Sequence, residues 1–185
     1  SQVGIWQGAL TQAQIQSVME STSYATIPAS VKSTLGAEMI TDGDFASGSN
    51  WDFSDGNWTH DSTNSEADFG DGGNASLDQT NANMVSSVAT STLYKLQFTI
   101  SNLASGDATM NFYATSGETY TSQTNYTNGT HTEYFVSPAD VGSAGLRVYG
   151  RSASTGTWSI SDISLKAVTN DLVGYWALDA DSLST

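Results

Sequence analysis

The sequence predicts an all-β domain that folds as an antiparallel sandwich or barrel, preceded by a short strand and two short helices. Three observations predict this class. Apolar and polar residues alternate in short segments from about Glu38 to Thr169. Gly, Asn and Asp turn signals separate these segments. The chain of 185 residues also holds 17 Gly but only 2 Pro, which suits strands joined by tight turns.

Residues 1–36 differ from the rest of the chain. Residues 3–6, Val-Gly-Ile-Trp, predict a short strand. Thr11 and Gln14 then form a capping box, in which the threonine hydroxyl accepts from the backbone N–H of Gln14 while its side chain reaches back. A helix of about ten residues should follow, with one apolar face. That face consists of Ile15, Val18 and Met19.

A second short helix is expected to follow the first. Pro28 suits its first turn, because a proline there loses no helical hydrogen bond. Val31 and Leu35 would face inward, and Gly36 is placed to cap its end.

The period changes to two in the long central segment. In the clearest strand, 93–103, apolar and polar residues alternate from Tyr94 to Ile100, so one face is expected to be buried and the other to face solvent. The inward set is Tyr94, Leu96, Phe98 and Ile100. Further strands are expected at 108–114, 131–136, 146–149 and 158–165. The buried set changes phase within the last of these, which a β-bulge near Asp162 would explain.

The end of the chain repeats its beginning, since residues 172–176 match residues 2–6 in a Val-Gly-x-Trp core. Each segment is a strand without enough partners in its own neighbourhood, and each would expose a tryptophan if it were left unpaired. We therefore expect the two strands to pair with each other or with neighbouring modules.

These terminal segments resemble parts of laminin G-like (concanavalin A-like) lectin domains. Residues 3–15 combine Val-Gly-Ile-Trp with Ala-Leu-Thr-Gln-Ala-Gln-Ile, and they resemble the closing strand and helix of such a domain. Residues 172–179, Leu-Val-Gly-Tyr-Trp-Ala-Leu-Asp, resemble the opening strand of another.

The segment between them resembles the jelly-roll carbohydrate-binding modules, which are galactose-binding-like β-sandwiches. The likeness rests on Met-Ile-Thr-Asp-Gly-Asp-Phe at 39–45, on Trp51 and Trp58, and on Trp-Ser-Ile-Ser-Asp-Ile-Ser-Leu-Lys at 158–166. It implies an antiparallel jelly-roll β-sandwich. Together the resemblances imply three parts: the end of one laminin G-like module at 1–36, the sandwich at 37–169, and a linker with the first strand of a following module at 170–185.

Several related modules hold a structural calcium in the same two regions, so the resemblance implies Asp42, Asp44 and Asp162 as candidate ligands of Ca²⁺. Ala46 stands where the family often has an acidic residue, which removes one ligand. The alternative interpretation is that these aspartates only make turn and capping hydrogen bonds.

The charge of the chain excludes several partners. Five Lys and Arg stand against 19 Asp and Glu, which leaves a net charge of −14. Such a protein repels phosphate backbones, so we expect no nucleic acid partner. It has no run of 18 apolar residues, so we expect no membrane insertion. Because it has no cysteine, it can form neither disulfides nor thiolate metal sites.

Catalysis is not expected. A glycosidase needs two carboxyl groups about 5 to 10 Å apart, and no spacing in the sequence selects such a pair. The acidic residues between Asp52 and Asp71 lie among Gly, Asn and Ser, and we interpret this stretch as a solvated loop. His60 and His131 have no catalytic motif nearby.

Sugar binding requires less, namely aromatic faces for the apolar side of a pyranose and polar groups for its hydroxyls. Seven residues have this chemistry in loop-like or strand-edge positions: Trp51, Asn57, Trp58, Tyr120, Tyr126, Arg147 and Tyr149. The alternative is that the tryptophans fill the core and the tyrosines are ordinary strand residues. Arg147 and Arg151 should face away from the core, either to bind a ligand or to pair with the acidic surface.

The main hypothesis is therefore a non-catalytic carbohydrate-binding or adhesion module whose partners are a glycan or polysaccharide and neighbouring lectin-like modules or copies of the same chain. The resemblances imply an extracellular, cell-surface or virion-surface location, as in adhesins and bacteriophage fibres. The rival hypothesis is a purely structural β-sandwich that acts as a spacer or decoration element and assembles through its terminal strands. A third is an appendage of a polysaccharide-degrading enzyme.

Overall fold

A computed structural model describes residues 2–6, 10–21, 31, 34–70, 73–104, 106–141, 144–152, 154, 156–169 and 172–177. Their first elements are β1 (Gln2–Trp6), α1 (Gln12–Met19), β2 (Thr34–Leu35), β3 (Trp58–Asp61), β4 (Glu66–Phe69) and β5 (Ala75–Gln79). The others are β6 (Leu93–Ser101), β7 (Ala108–Ala114), β8 (Thr124–Tyr126), β9 (Gly129–Val136), β10 (Leu146–Gly150), β11 (Trp158–Thr169) and β12 (Leu172–Ala177). Within these residues, no helix is long and apolar enough to cross a membrane.

The chain forms two compact units, one of residues Ser1–Gly36 and Val168–Thr185, the other of residues Ala37–Ala167. In the first unit, β1 and β12 pair as an antiparallel two-stranded sheet, with Val3 opposite Trp176. The two matched terminal strands thus pair with each other, one of the two arrangements that the sequence predicts.

The capping box of α1 is confirmed. The backbone N–H of Gln14 donates to the Thr11 hydroxyl at 3.3 Å, and the backbone N–H of Thr11 donates to Gln14 Oε1 at 2.8 Å. The apolar residues of the helix remain accessible, with Ile15 47% and Met19 79% exposed. The capping box therefore fixes the first turn of the helix, although the apolar side chains of the helix are not buried.

Most of the predicted second helix lies outside the described residues, but the expected inward position of Leu35 at its end is wrong. Leu35 lies in β2, is 46% exposed and pairs with Val168 at the end of β11. The backbone groups at the end of β11 require partners, and an extended segment supplies them where a helix cannot. Val31 is fully buried, as expected, and Pro28 lies outside the described residues.

The second unit is an all-β sandwich of two antiparallel sheets, as the sequence predicts. The larger sheet has the order β3-β4-β11-β6-β9, and the smaller sheet has the order β5-β10-β7-β8. The five predicted strands of the central segment correspond to β6, β7, β9, β10 and β11. The ends of β7 are as predicted, and the ends of the other four differ from the predicted ones by a few residues.

The core lies between the two sheets. On β6, Tyr94, Leu96, Phe98 and Ile100 are 0 to 1% exposed, which confirms the predicted alternation. Across the core, the rings of Phe98 and Phe112 lie 5.0 Å apart. Burial of apolar area at about 25 cal/mol per Å² is the main stabilising contribution.

The predicted bulge in β11 is confirmed. The register against β6 shifts between Ser161 and Ser164, and Asp162 has φ of 52°. The extra residue lets Ile160 and Ile163 both face the core.

Gly43 lies where the 39–45 loop touches this bulge. The Ile163 N–H donates to the Gly43 carbonyl at 2.8 Å, and a Cβ at Gly43 would lie 2.0 Å from the Ile163 carbonyl oxygen. Phe45 follows with no exposed surface. The Asp-Gly-Asp-Phe motif thus joins the start of the sandwich to its last strand.

Candidate functional site

Four of the five predicted sugar-stacking aromatic residues lie in the core. Their exposed fractions are 5% for Trp51, 1% for Trp58, 6% for Tyr120 and 4% for Tyr126. Protein atoms cover their ring faces, for example where Phe135 stacks on Tyr120 at 4.6 Å. In this structure these rings contribute to packing and have no face available to a sugar.

Trp51 and Trp58 have hydrogen-bond partners for their indole N–H groups inside the core. Trp51 Nε1 donates to the Asp42 carbonyl at 3.0 Å, and Trp58 Nε1 donates to the Ala75 carbonyl at 3.2 Å. Because both indole N–H groups find backbone acceptors, these hydrogen bonds offset the cost of removing the two groups from water.

The candidate calcium ligands make local hydrogen bonds. Asp42 accepts from the Ser47 N–H and hydroxyl at 3.0 Å each, Asp44 accepts from the Ala46 N–H at 3.3 Å, and Asp162 accepts from the Ser161 hydroxyl at 3.1 Å. Among the residues that the structure describes, no three His, Cys, Asp or Glu side chains gather closely enough to hold a metal. These aspartates make the turn hydrogen bonds of the alternative interpretation; the calcium site stays a prediction, and we derive no function from it.

Arg147 and Tyr149 lie on the outer side of the smaller sheet. The register of β10 against β7 places Arg147 opposite Tyr113 and Tyr149 opposite Asn111. The intervening Val148 is fully buried, so the flanking side chains alternate outward. With the nearby Arg151, these outer residues form what we name the tyrosine-arginine face: Asn111, Tyr113, Arg147, Tyr149 and Arg151.

Arg147 is neutralised by a carboxylate on the next strand. Its Nε donates to Asp78 Oδ1 at 2.7 Å and its Nη2 to Asp78 Oδ2 at 2.6 Å, a bidentate pair. The hydrogen bonds to Asp78 raise the pKa of Arg147 above its ordinary value. The pair fixes the orientation of both side chains on the face.

Arg151 joins the two tyrosines. Its Nε donates to Asn111 Oδ1 at 2.9 Å and its Nη2 to the Tyr113 hydroxyl at 2.7 Å. Its Cζ lies 4.4 Å from the ring centroid of Tyr149 and 5.9 Å from that of Tyr113. The two rings stand nearly perpendicular, at 83° with centroids 5.8 Å apart.

The same contacts change the acidity of Tyr113. The Asn111 side chain and the Arg151 charge lower the pKa of Tyr113 below its ordinary value, although partial burial opposes them. Asn111 itself is only 2% exposed despite its outward position, because the side chains around it cover it. The face is therefore a fixed arrangement of rings, amide and guanidinium groups.

Polar side chains continue the face toward both edges of the smaller sheet. Near β5, Asp55 Oδ2 accepts from the Ser76 N–H at 2.7 Å. On β8, Asn125 donates to Asp107 at 3.1 Å and accepts from the Thr109 hydroxyl at 3.0 Å. Hydrogen-bonding groups thus lie on both sides of the tyrosines.

Asn57, the remaining predicted residue, lines a different feature. It borders a cavity of about 490 Å³ on the larger sheet. There Glu66 accepts from Asn102 at 2.6 Å and from Ser101 at 2.8 Å, and Asp68 accepts from Ser159 at 2.6 Å. The structure does not bring Asn57 together with Arg147 and Tyr149.

Asn111 and Tyr113 are not among the site residues predicted from the sequence. The signal was present, since Met110 and Phe112 alternate with them on a predicted strand. The sequence does not show which strand pairs with which, so Tyr113 could not be placed opposite Arg147 before the fold was known.

No protein-family model matches this chain, and no curated protein matches it. Among solved structures, the second N-terminal cellulose-binding domain of Cellulomonas fimi β-1,4-glucanase C is 18% identical, with 70% of this chain and 91% of that one covered and a TM-score of 0.46. A carbohydrate-binding module that recognises mannan is 11% identical, with 74% and 98% covered and a TM-score of 0.44.

The enzymatically active domain of bacteriophage CBA120 tailspike protein 4 is 17% identical, with 70% of this chain and 21% of that one covered and a TM-score of 0.44. Carbohydrate-binding modules are therefore among the structural neighbours of this chain, at identities and TM-scores too low to assign it to a family.

Proposed function

We propose that the sandwich is a non-catalytic carbohydrate-binding module and that glycan binds on the tyrosine-arginine face. One observation carries the proposal. Two tyrosines and two arginines lie on the outer side of a sheet whose inner side is core: hydrogen bonds hold Arg147, Arg151 and Tyr113, and contacts with Tyr113 and Arg151 hold the ring of Tyr149. Only 5 of the 185 residues are Lys or Arg, so two on one four-stranded sheet is a concentration.

The chemistry of this face suits a sugar. Tyrosine offers an apolar ring and a polar tip, and a pyranose has an apolar side and a rim of hydroxyls. Hydrogen bonds already orient Arg147 and Arg151, so little conformational entropy is lost when a ligand binds. Binding of this kind is weak at one site and gains strength when modules are repeated along a fibre.

The cavity that Asn57 borders is a less suitable glycan site. The Glu66 and Asp68 carboxylates are engaged by neighbouring side chains of the same sheet. The aromatic residues that line the cavity, Phe69 and Trp158, are 2% and 1% exposed. A ligand there would break internal hydrogen bonds and find little aromatic surface in exchange.

The proposal includes the setting of the module. An extracellular, cell-surface or virion-surface protein would display it, with neighbouring lectin-like modules or copies of the chain as its partners. The antiparallel pair of β1 and β12 supports this part, because an isolated two-stranded sheet is marginally stable and gains from further partners.

Tyr149→Ala tests the glycan site. We expect wild-type protein to bind at least one glycan on an array, and Tyr149→Ala to lose about tenfold or more in affinity, because a stacking ring and its hydroxyl are removed. Isothermal titration calorimetry with the best glycan measures the change.

Tyr134→Ala is the matched control, since Tyr134 is 60% exposed on the larger sheet and should be neutral. If the folded wild-type protein binds no glycan at millimolar concentration, the structural spacer is the better hypothesis. Equal losses in the two variants would place the site elsewhere.

A further inference from the structure

We propose that the glycan bound on the tyrosine-arginine face is anionic and that Arg151 binds its carboxylate or sulfate group. This inference rests on the proposed function, because it assigns a ligand class to the same face. It starts from a contrast between the two arginines of the face.

Arg151 keeps an uncompensated charge in an acidic protein. Within the described part of the chain, the ion pairs are Arg147 with Asp78 and Lys166 with Glu38, and Arg151 has none. The chain holds 19 carboxylates for five cations, so a surface arginine without a carboxylate partner is unexpected. Asn111 and Tyr113, its observed acceptors, are neutral.

Neutral acceptors orient the guanidinium without neutralising it. Nε and Nη2 are engaged, whereas Nη1 has no hydrogen-bond partner among the residues that the structure describes. The guanidinium also packs against Tyr149, with the Arg151 Cζ atom 4.4 Å from the ring centroid. A guanidinium presents donors in a rigid fork that matches carboxylate geometry, so a fixed arginine with an unused nitrogen is suited to an oxyanion.

The net charge of −14 makes a local cation necessary for such a ligand. At low ionic strength, the distant carboxylates repel an anionic polysaccharide over tens of ångströms. At about 0.15 M salt the Debye length is about 8 Å, so this repulsion is largely screened while an oxyanion in contact with Arg151 is not. Binding should therefore be measured at that ionic strength.

Either the carboxylate of a uronic acid or the sulfate of a sulfated sugar could supply the oxyanion that accepts from Arg151. Pairs of charged and neutral ligands distinguish these two sources. Calorimetry in 0.15 M NaCl on the full 185-residue chain compares oligogalacturonate with its methyl ester, and a sulfated galactan oligosaccharide with its desulfated form. We expect the anionic member of at least one pair to bind about 10- to 100-fold more tightly, the range of a charge-assisted hydrogen bond. The responding pair identifies the source of the anion.

Arg151→Gln should abolish that preference while retaining residual affinity for the neutral ligand, and Arg151→Lys should retain part of the preference. Lys95→Gln is the matched control, since it removes the same charge from the outer side of β6 on the larger sheet and should preserve the preference. Circular dichroism checks folding. Because the ligand pairs need no variant, the wild-type comparison stands even if Arg151→Gln unfolds.

The binding of the wild-type chain tests the anionic assignment and the proposed function separately. Equal binding of the charged and neutral members of both pairs would overturn the anionic assignment and leave glycan binding in place. Failure of the wild-type chain to bind any glycan, charged or neutral, would overturn the proposed function itself.

Discussion

Arg147 and Lys166 are two of the five basic residues, and their ion pairs differ in geometry. Arg147 makes two hydrogen bonds to Asp78, with the shorter at 2.6 Å, and both side chains are less than a third exposed. Lys166 Nζ lies 3.7 Å from Glu38 Oε2, with both side chains 36 to 37% exposed. A planar, bidentate pair loses less side-chain entropy per hydrogen bond than a flexible lysine pair does.

Asp78→Asn should therefore cost about 1 to 2 kcal/mol in the free energy of unfolding, since it removes the negative charge and replaces one of the two oxygens that accept from Arg147 with an amide donor. Lys166→Gln should cost about 0.5 kcal/mol or less, because an exposed pair at this distance is largely screened by solvent. Urea unfolding at pH 7 measures both changes. Similar values for the two variants would contradict this ranking.

Arg147 and Arg151 also show how hydrogen-bond partners decide the role of a side chain. The sequence alone is compatible with two roles for these arginines, binding a ligand or pairing with the acidic surface. The structure assigns the ion pair to Arg147 and neutral acceptors to Arg151. The same residue type thus has two different electrostatic environments four positions apart.

The loop at 39–45 and the bulge of β11 form one structural element. Gly43 lies against the Ile163 carbonyl, and the bulge at Asp162 brings that carbonyl into position. Glu38 adds a second connection, because its Oε1 accepts from the Leu165 N–H at 2.9 Å. The motifs from the two ends of the sandwich are therefore adjacent because backbone contacts and hydrogen bonds join them.

Gly43→Ala should destabilise the sandwich by about 2 kcal/mol or more, because its Cβ would overlap a backbone oxygen that cannot move without disturbing the bulge. Gly70→Ala is the control, since its Cβ would meet the Asn57 carbonyl oxygen at an ordinary 3.5 Å. Thermal unfolding monitored by tryptophan fluorescence measures both. A Gly43→Ala protein as stable as Gly70→Ala would contradict the close approach.

The whole sandwich responds to high pH through its buried tyrosines. Burial raises the pKa values of Tyr94, Tyr120 and Tyr126 above the ordinary value. A raised folded-state pKa contributes stability that is complete below the unfolded value of about 10 and is lost as the pH rises above it. Tyr113 has a lowered pKa and acts in the opposite direction, but it is one group against three.

The free energy of unfolding should therefore fall between about pH 10 and pH 11.5, where the unfolded chain releases phenolic protons that the folded chain retains. Urea titrations at a series of pH values measure the slope, and Tyr120→Phe should make it shallower because one of the three groups is removed. Return to pH 8 controls for irreversible damage. A free energy that stays constant across this range would contradict the burial of these hydroxyls.

The predictable and unpredictable residues of this protein differ in their local context. Tyr94, Leu96 and Phe98 lie inside a long alternating strand, so their side could be assigned from the period of two alone. Trp51 lies outside the strands, and Tyr126 ends a strand of only three residues. At such positions no periodicity operates, so the choice between core and ligand contact depends on what the rest of the chain places nearby.

The amino-acid sequence by itself determined the all-β class, the positions of five strands, the capping box and the β-bulge near Asp162. These features depend on residues that are close together in the chain, so the local pattern of residue types predicts them. Tertiary structure alone decided that Trp51 and Trp58 are core residues, that Leu35 belongs to a strand, and that Tyr113 and Arg147 share one face. These outcomes depend on which distant segments pair, and that pairing is set by the burial and hydrogen bonding of the whole sandwich.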